Sequence, residues 1–314
     1  MQQKTRIKLF GFKWYLQGSN QGHMDFQSIA LPSELRYRCY CGCKYRTIFI
    51  LSKTFVKKNQ FVSLPLEINN MLLAVDVGNT RIKVAVFEHN TLLFHLIFPA
   101  EQAVENFKII FQRYTKIDSV MLSSVGKDLK IDFKQFPSVL SVHIICSDNM
   151  FPFVNKYSTP KTVGIDRLVL AAGATLLFPA TNRLVIDIGT CVTYDFIDAQ
   201  NQYWGGAISP GLRLRYESLH QFTTNLPLLT KEEPIHFIGN STNQSIHSGV
   251  VNGLIYEIDG FIDQYKKGSE NFTIILTGGD ADFLAKRLKN TIFANSNFLL
   301  ESLNQFFQYK INND

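Results

Sequence analysis

The chain has 314 residues, 46% of them hydrophobic and 18% charged, with a formal net charge of +6. That balance excludes a disordered chain and supplies apolar surface for one or two ordinary cores. No run approaches the roughly 20 apolar residues that span a bilayer, so no membrane partner is expected, and the short TIFIL stretch at 47–51 is flanked by Lys and Arg.

The charge is unevenly placed. Residues 1–70 carry eleven Lys or Arg against Asp25, Glu34 and Glu67, a net +8 that leaves −2 for the rest. A basic protein built to bind nucleic acid would spread its charge over the fold, so no nucleic-acid partner is expected for the main body. The first 70 residues show no sustained period of 2 or 3.6 and lack the h-region and cleavage site of a signal peptide. They read as a basic extension outside the fold, as a start codon placed too far upstream gives; a nucleic-acid-binding arm is the functional alternative. Five cysteines, at 39, 41, 43, 146 and 191, are an odd number that suits a reducing cytoplasm better than a disulfide framework. Cys146 and Cys191 are expected as buried fillers. The C-x-C-x-C at 39–43 has no second Cys/His pair at zinc spacing.

From Met71 the pattern changes at once to strands at 72–76, 82–88 and 91–98, an amphipathic helix at 100–114, and strands at 119–124 and 141–146. An almost wholly apolar stretch, LVLAAGATLLF, follows G-I-D-R (164–167) and predicts a buried helix. A similar order returns from Arg183: strands at 184–187, 191–197 and 203–208, a helix at 212–220, a long helix at 243–266, a strand at 273–277 and a helix at 281–289. The long helix carries Ile246, Val250, Leu254, Ile258, Phe261 and Ile262 at helical spacing. Residues 71–182 and 183–314 are therefore expected to be two similar domains.

The first strand of each half ends in one device, Asp76-Val77-Gly78-Asn79-Thr80 and Asp187-Ile188-Gly189-Thr190. Each is followed by another β-rich run, so each makes a hairpin turn, which excludes a P-loop opening a helix. Gly in such a turn lets backbone N–H groups approach an anion, and the carboxylate at its edge suits a cation. One such turn is ordinary hairpin chemistry; two at matching places suggest a nucleotide gripped from both sides. Taken alone, Asp166 reads as a helix N-cap with Arg167 as its surface partner, Tyr157 as a half-buried core tyrosine, and Thr242 as an N-cap.

D-V-G-N-T-R-I-K (76–83), D-I-G-T (187–190) and T-G-G-D (277–280) resemble the two phosphate motifs and the adenosine motif of the acetate and sugar kinase, heat-shock ATPase and actin superfamily. That resemblance implies an α/β fold of two ribonuclease-H-like domains flanking an ATP cleft. The run Tyr157-Ser-Thr-Pro-Lys-Thr-Val-Gly164-Ile165-Asp166-Arg167, with G-G-A-I-S-P-G (205–211) and G-N-S-T (239–242), resembles the type III pantothenate kinases over essentially 71–314. Ser241 stands where that family usually has Asn.

The resemblance implies ATP-dependent phosphorylation of pantothenate to 4′-phosphopantothenate by a cytoplasmic homodimer that needs Mg²⁺ and a monovalent cation, K⁺ or NH₄⁺. It implies Asp166 as the base, ATP contacts at Asp76, Val77, Gly78, Asn79, Thr80, Arg81, Ile82, Lys83 and Thr190, and pantothenate contacts at Tyr157, Gly164, Ile165, Asp166, Arg167 and Thr242. Asp187 corresponds to the monovalent-cation ligand, and Asp76 is assigned to Mg²⁺. The alternatives are another small-molecule kinase on the same scaffold and a transcription-linked regulator of the Bvg accessory factor type.

Overall fold

The computed structural model describes residues 6–9, 12–15, 71–78, 80–124, 131–269 and 271–313. A short antiparallel hairpin, β1 (Arg6–Leu9) and β2 (Phe12–Tyr15), belongs to one compact unit, and everything described from Met71 onward belongs to another. The C-x-C-x-C run, the remainder of 1–70, and Asn79 lie outside the described residues.

The first sheet has the order β5-β4-β3-β6-β7, formed by β3 (Met71–Val77), β4 (Ile82–Glu88), β5 (Thr91–Phe98), β6 (Ser119–Ser124) and β7 (Ser141–Ile144). The first three strands are antiparallel, and β6 and β7 add in parallel to β3. All seven residues of β3 are buried, as an apolar run covered on both faces requires, whereas edge strand β5 alternates exposed and half-buried positions. Helix α1 (Ala103–Arg113) covers the outer face through Ala103, Phe107, Ile110 and Phe111, spaced to share one side of a helix.

The chain then forms β8 (Val154–Asn155) and α2 (Ile165–Leu177) before the second sheet. That sheet runs β13-β12-β9-β10-β11-β8, from β9 (Asn182–Ile188), β10 (Cys191–Ile197), β11 (Gln202–Pro210), β12 (Phe272–Thr277) and β13 (Phe293–Ala294). Again three strands are antiparallel and two add in parallel. The internal repeat seen in the D-x-G turns is thus a repeat of strand order, with β8 as an extra edge strand.

Helices α3 (Leu212–Gln221), α4 (Thr242–His247), α5 (Gly253–Tyr265) and α6 (Ala281–Ala285) cover the outer face of this sheet. The expected long helix at 243–266 is α4 and α5 joined by one π turn, Ser248–Asn252. The expected helix at 281–289 stops at Ala285. Asp259 of α5 accepts from the Lys289 backbone N–H at 3.3 Å and from Asn290 Nδ2 at 3.0 Å, which draws the chain towards α5 and off the helical path.

Between the two sheets lies a layer absent from the sequence reading in one half: α2 packs against α7 (Phe298–Asn313), the helix at the end of the chain. Their shared core joins Leu72, Ala74 and Phe87 of the first sheet to Val185, Tyr203 and Ile275 of the second. Each such side chain contributes about 1.5–3 kcal/mol on full burial. The helices meet at Gly173, where a Cβ would stand 2.0 Å from Ser302 Oγ, so only glycine permits this approach. Cys191 departs from its expected burial: it opens β10 at the head of the second D-x-G turn and is exposed, while Cys146 is half-buried.

Candidate active site

The two turns are hairpins, as expected. Gly78 N–H donates to Arg81 O at 3.1 Å in the first, and Gly189 N–H to Cys191 O at 3.0 Å in the second. Strand register sets what stands beside each carboxylate. Asp76 pairs across the ladder with Lys83 on one side and Ser123 on the other; Asp187 pairs with Thr193 and Thr277. Directly paired residues project to one face, so each carboxylate is flanked by two polar side chains. Val77 and Ile82 are buried in the outer core, which leaves their backbone, not their side chains, for a ligand. Thr80 and Arg81 are exposed.

Asp166 occupies the first turn of α2, behind Gly164 at the cap. Asp166 is therefore not the N-cap residue, although its Oδ1 accepts from the Arg167 backbone N–H at 2.9 Å and the positive helix N-terminus favours a carboxylate there. Gly164 leaves room for the Asp166 carboxylate as it stands: a Cβ would come within 2.4 Å of Oδ1, so a larger residue would turn that carboxylate. Ile165 is half-buried against the central core.

Asp76, Asp166, Asp187 and Lys83 form one electrostatic cluster. Burial pushes the Asp76 carboxyl up to about 6, against the pull of Lys83 and of the Ser123 hydroxyl, which donates to Oδ1 at 2.7 Å; Asp166 adds to the rise. Burial likewise raises Asp187 to about 6, with Lys83 opposing and Asp166, Asp76 and Asp195 reinforcing. Three carboxylates around a single lysine leave negative charge in excess, which fits a site that holds cations together with a polyphosphate. Among the described residues no three His, Cys, Asp or Glu side chains cluster tightly enough to cage a metal by themselves. A divalent ion here would thus draw on the nucleotide's own oxygens, as Mg²⁺ does in phosphoryl transfer.

The Gly-rich segments close around the second turn. Gly211 N–H donates to Thr190 O at 3.0 Å, and a Cβ at Gly211 would stand 2.2 Å from Gly189 O. Gly278 of T-G-G-D has φ +100° and rests on the same turn, where a Cβ would lie 2.4 Å from both Asp187 Oδ1 and Ile188 O. Asp280 N–H donates to Ile188 O at 3.1 Å. The three motifs of the second half, far apart in sequence, thereby form one surface.

Arg167 is buried and pairs with Asp195, not with Asp166 at the surface. Tyr157 lies beside it, with the guanidinium carbon 5.9 Å from the ring centroid. Thr242 is apart from this group. It is exposed at the first position of α4 and lines an open pocket of about 880 Å³ with Arg215, Leu219, Leu226, Ser241 and Ile246. None of the carboxylates lines that pocket. The cap of α4 is Ser241, whose Oγ accepts from Gln244 N–H at 3.3 Å.

Sequence reasoning missed Asp195, Ser123, Thr193 and Tyr203. A signal existed for Asp195: it lies two residues beyond Thr193 in a strand, on the face that carries Asp187 across the ladder. A carboxylate at an inward strand position calls for a partner.

Two ribonuclease-H-like sheets of one strand order, each presenting a D-x-G turn to a helix N-terminus between them, define a two-domain actin-like ATP-dependent phosphotransferase. The fold matches that of a Baf family transcriptional activator from Campylobacter jejuni, with TM-score 0.53 at 19% identity, over 76% of this chain and 99% of that one. Residues 72–264 match the profile of the type III pantothenate kinases, and the chain belongs to that family. It is 61% identical over 244 residues to the type III pantothenate kinase of Flavobacterium johnsoniae, covering 78% of this chain and all of the relative. It is 46% identical to that of Christiangramia forsetii, over 76% of this chain and 98% of the relative.

Proposed function

We propose that this chain transfers the γ-phosphoryl group of ATP to the primary hydroxyl of pantothenate, forming 4′-phosphopantothenate at the entry to coenzyme A synthesis. The observation that carries the reading is the placement of Asp166: it opens the helix between the two sheets, within electrostatic reach of both phosphate-turn carboxylates. Asp166 is then the base that takes the hydroxyl proton. A carboxylate suffices because the loose transition state of phosphoryl transfer needs the nucleophile aligned more than deprotonated early.

In this reading the backbone of 76–83 and Thr190, with the Lys83 ammonium, grips the phosphates. Tyr157, Gly164, Ile165 and Arg167 border the acceptor, and Asp76 is the protein's contribution to the Mg²⁺ site. A divalent ion held with the help of Asp76 would supply positive charge to offset that developing on the leaving phosphate. Asp187 holds the monovalent cation. Thr193 and Thr277 support that role: both hydroxyls are buried without a partner, and both flank Asp187 on the ladder.

A homodimer belongs to the same reading. Ile208, Phe222, Phe237 and Ile238 are between 62% and 81% exposed, and large apolar side chains of this kind would gain from burial against a second copy. Thr242 would contribute to an acceptor site through its own pocket. Residues 71–182 and 183–314 are proposed as the two domains, with 1–70 outside them. Among the described residues no helix is long and apolar enough to cross a membrane.

A coupled assay of ADP release with pantothenate, hexoses and acetate tests the function. Turnover is expected with pantothenate alone; equal turnover with a hexose or acetate would assign another kinase of this scaffold.

A further inference from the structure

Arg167 follows the candidate base in sequence but turns away from it. Its side chain is only 7% exposed, with Nε donating to both oxygens of Asp195, at 3.0 and 3.1 Å, and Nη2 donating to Oδ1 at 2.7 Å. Asp195 is fully buried, and its Oδ1 accepts a further bond from Tyr203 Oη at 2.6 Å. Two residues thus converge on one carboxylate that has no contact with solvent, and the pair ties α2 to β10 between the sheets.

Holding two elements together is a weak reason for such an arrangement. Desolvating two charges often costs more than their attraction returns, and an apolar pair would join α2 to β10 at least as firmly. What the ion pair adds is direction. The grip uses Nε and Nη2 and leaves Nη1 outside it, on a guanidinium that stands 5.9 Å from the Tyr157 ring. Tyr157 is itself fixed, because it lies over Gly205, whose φ of +83° and missing side chain admit the ring where a Cβ would be 2.4 Å away. The two walls of the acceptor subsite are therefore set by residues behind them, Asp195 for one and Gly205 for the other.

We propose that Asp195 is a positioning residue of the acceptor subsite, holding Arg167 by one edge, away from Asp166, so that Nη1 is presented beside Tyr157 to the carboxylate of the acceptor. Tyr203 assists by fixing the Asp195 carboxylate. The arrangement also keeps a permanent cation from pairing with the neighbouring base. This inference rests on the reading of Tyr157 and Arg167 as acceptor contacts.

The test is the separate KM values for pantothenate and ATP in Arg167→Gln, Asp195→Asn, the double variant and Tyr203→Phe. Asp195→Asn is expected to raise the pantothenate KM about tenfold or more, with the ATP KM within about twofold, and to add nothing to Arg167→Gln, since both remove one interaction. Additive effects, or equal rises in both KM values, overturn the proposal. Should Asp195→Asn fail to fold, Tyr203→Phe decides: about a threefold rise in pantothenate KM alone supports it, and no change overturns it. An Arg167→Gln variant with an unchanged pantothenate KM overturns the acceptor reading as well. A large Arg167 effect with a silent Asp195→Asn overturns only the positioning role.

Discussion

The two D-x-G turns occupy matching places in sheets of the same strand order, yet their carboxylates have different neighbours. Asp76 is flanked by an ammonium, Lys83, and by a hydroxyl that bonds to it, Ser123. Asp187 is flanked at the equivalent ladder positions by Thr193 and Thr277, whose hydroxyls are buried and bonded to nothing in the described structure. The same backbone device sets its carboxylate beside an ammonium and a bonded hydroxyl on one side and between two buried, unbonded hydroxyls on the other, while the Lys83 charge acts on both. The difference teaches that turn symmetry and chemical symmetry separate: the turns shape the cleft, and the ladder neighbours decide what each carboxylate holds.

The largest expected effect lies on neither turn but on the residue they share. Asp166→Asn should fold, bind ATP with near-normal affinity in calorimetry, and lose about 10²- to 10⁴-fold in kcat; a loss below about tenfold would remove it as the base. Next comes the turn that depends on glycine. Gly278→Ala forces a left-handed backbone on alanine and drives its Cβ against Asp187 and Ile188 O, so the KM for ATP should rise by about tenfold or more. An unchanged ATP KM would detach T-G-G-D from the nucleotide.

The asymmetry itself is probed at the ladder. Thr193→Val and Thr277→Val should each raise the K⁺ concentration for half-maximal activity by about three- to tenfold, the loss of one oxygen partner, while Ser123→Ala should leave it unaltered. Equal responses at all three positions would erase the distinction between the turns.

The pH dependence follows from the raised carboxyls. Asp76 and Asp187 are each lifted from 3.8 to about 6, so the fold favours their protonated forms. Their contribution to stability is complete below pH 3.8 and is lost as pH rises through about 6. In nucleotide-free protein, Asp187→Asn should therefore raise Tm at pH 7.5 and leave it nearly unchanged at pH 4; a lower Tm at pH 7.5 would contradict the charge excess. The smallest effect concerns the cap that replaced the family's usual Asn: Ser241→Ala should cost about 1 kcal/mol in denaturant unfolding, with kcat intact.

Much of the fold was legible because its strands are short, apolar and bounded by turn residues: β4, β5, β6 and β10 begin and end where the sequence pattern puts them. The helix α7 was missed although Leu299, Leu300, Leu303, Phe306 and Phe307 follow helical spacing, and it fills the layer between the two sheets with α2. Its partner surface belongs to both halves, so a reading that divides the chain into two repeats has no place for it. In the site, motif residues were readable and their supports were not. Arg167 next to Asp166 suggested a local pair, whereas the real partner, Asp195, stands 28 residues away and becomes a neighbour only when α2 lies on β10. The polar residues around Asp187 are likewise neighbours by strand register, which the sequence shows only once the ladder is known.

The most direct measurement is phosphorus NMR of the full chain with MgATP, K⁺ and pantothenate. A phosphomonoester signal is expected to grow as the γ-phosphate signal falls, in equal amounts, and to appear only when pantothenate is present. ATP loss as inorganic phosphate, or no new signal with folded protein, would contradict the proposed function.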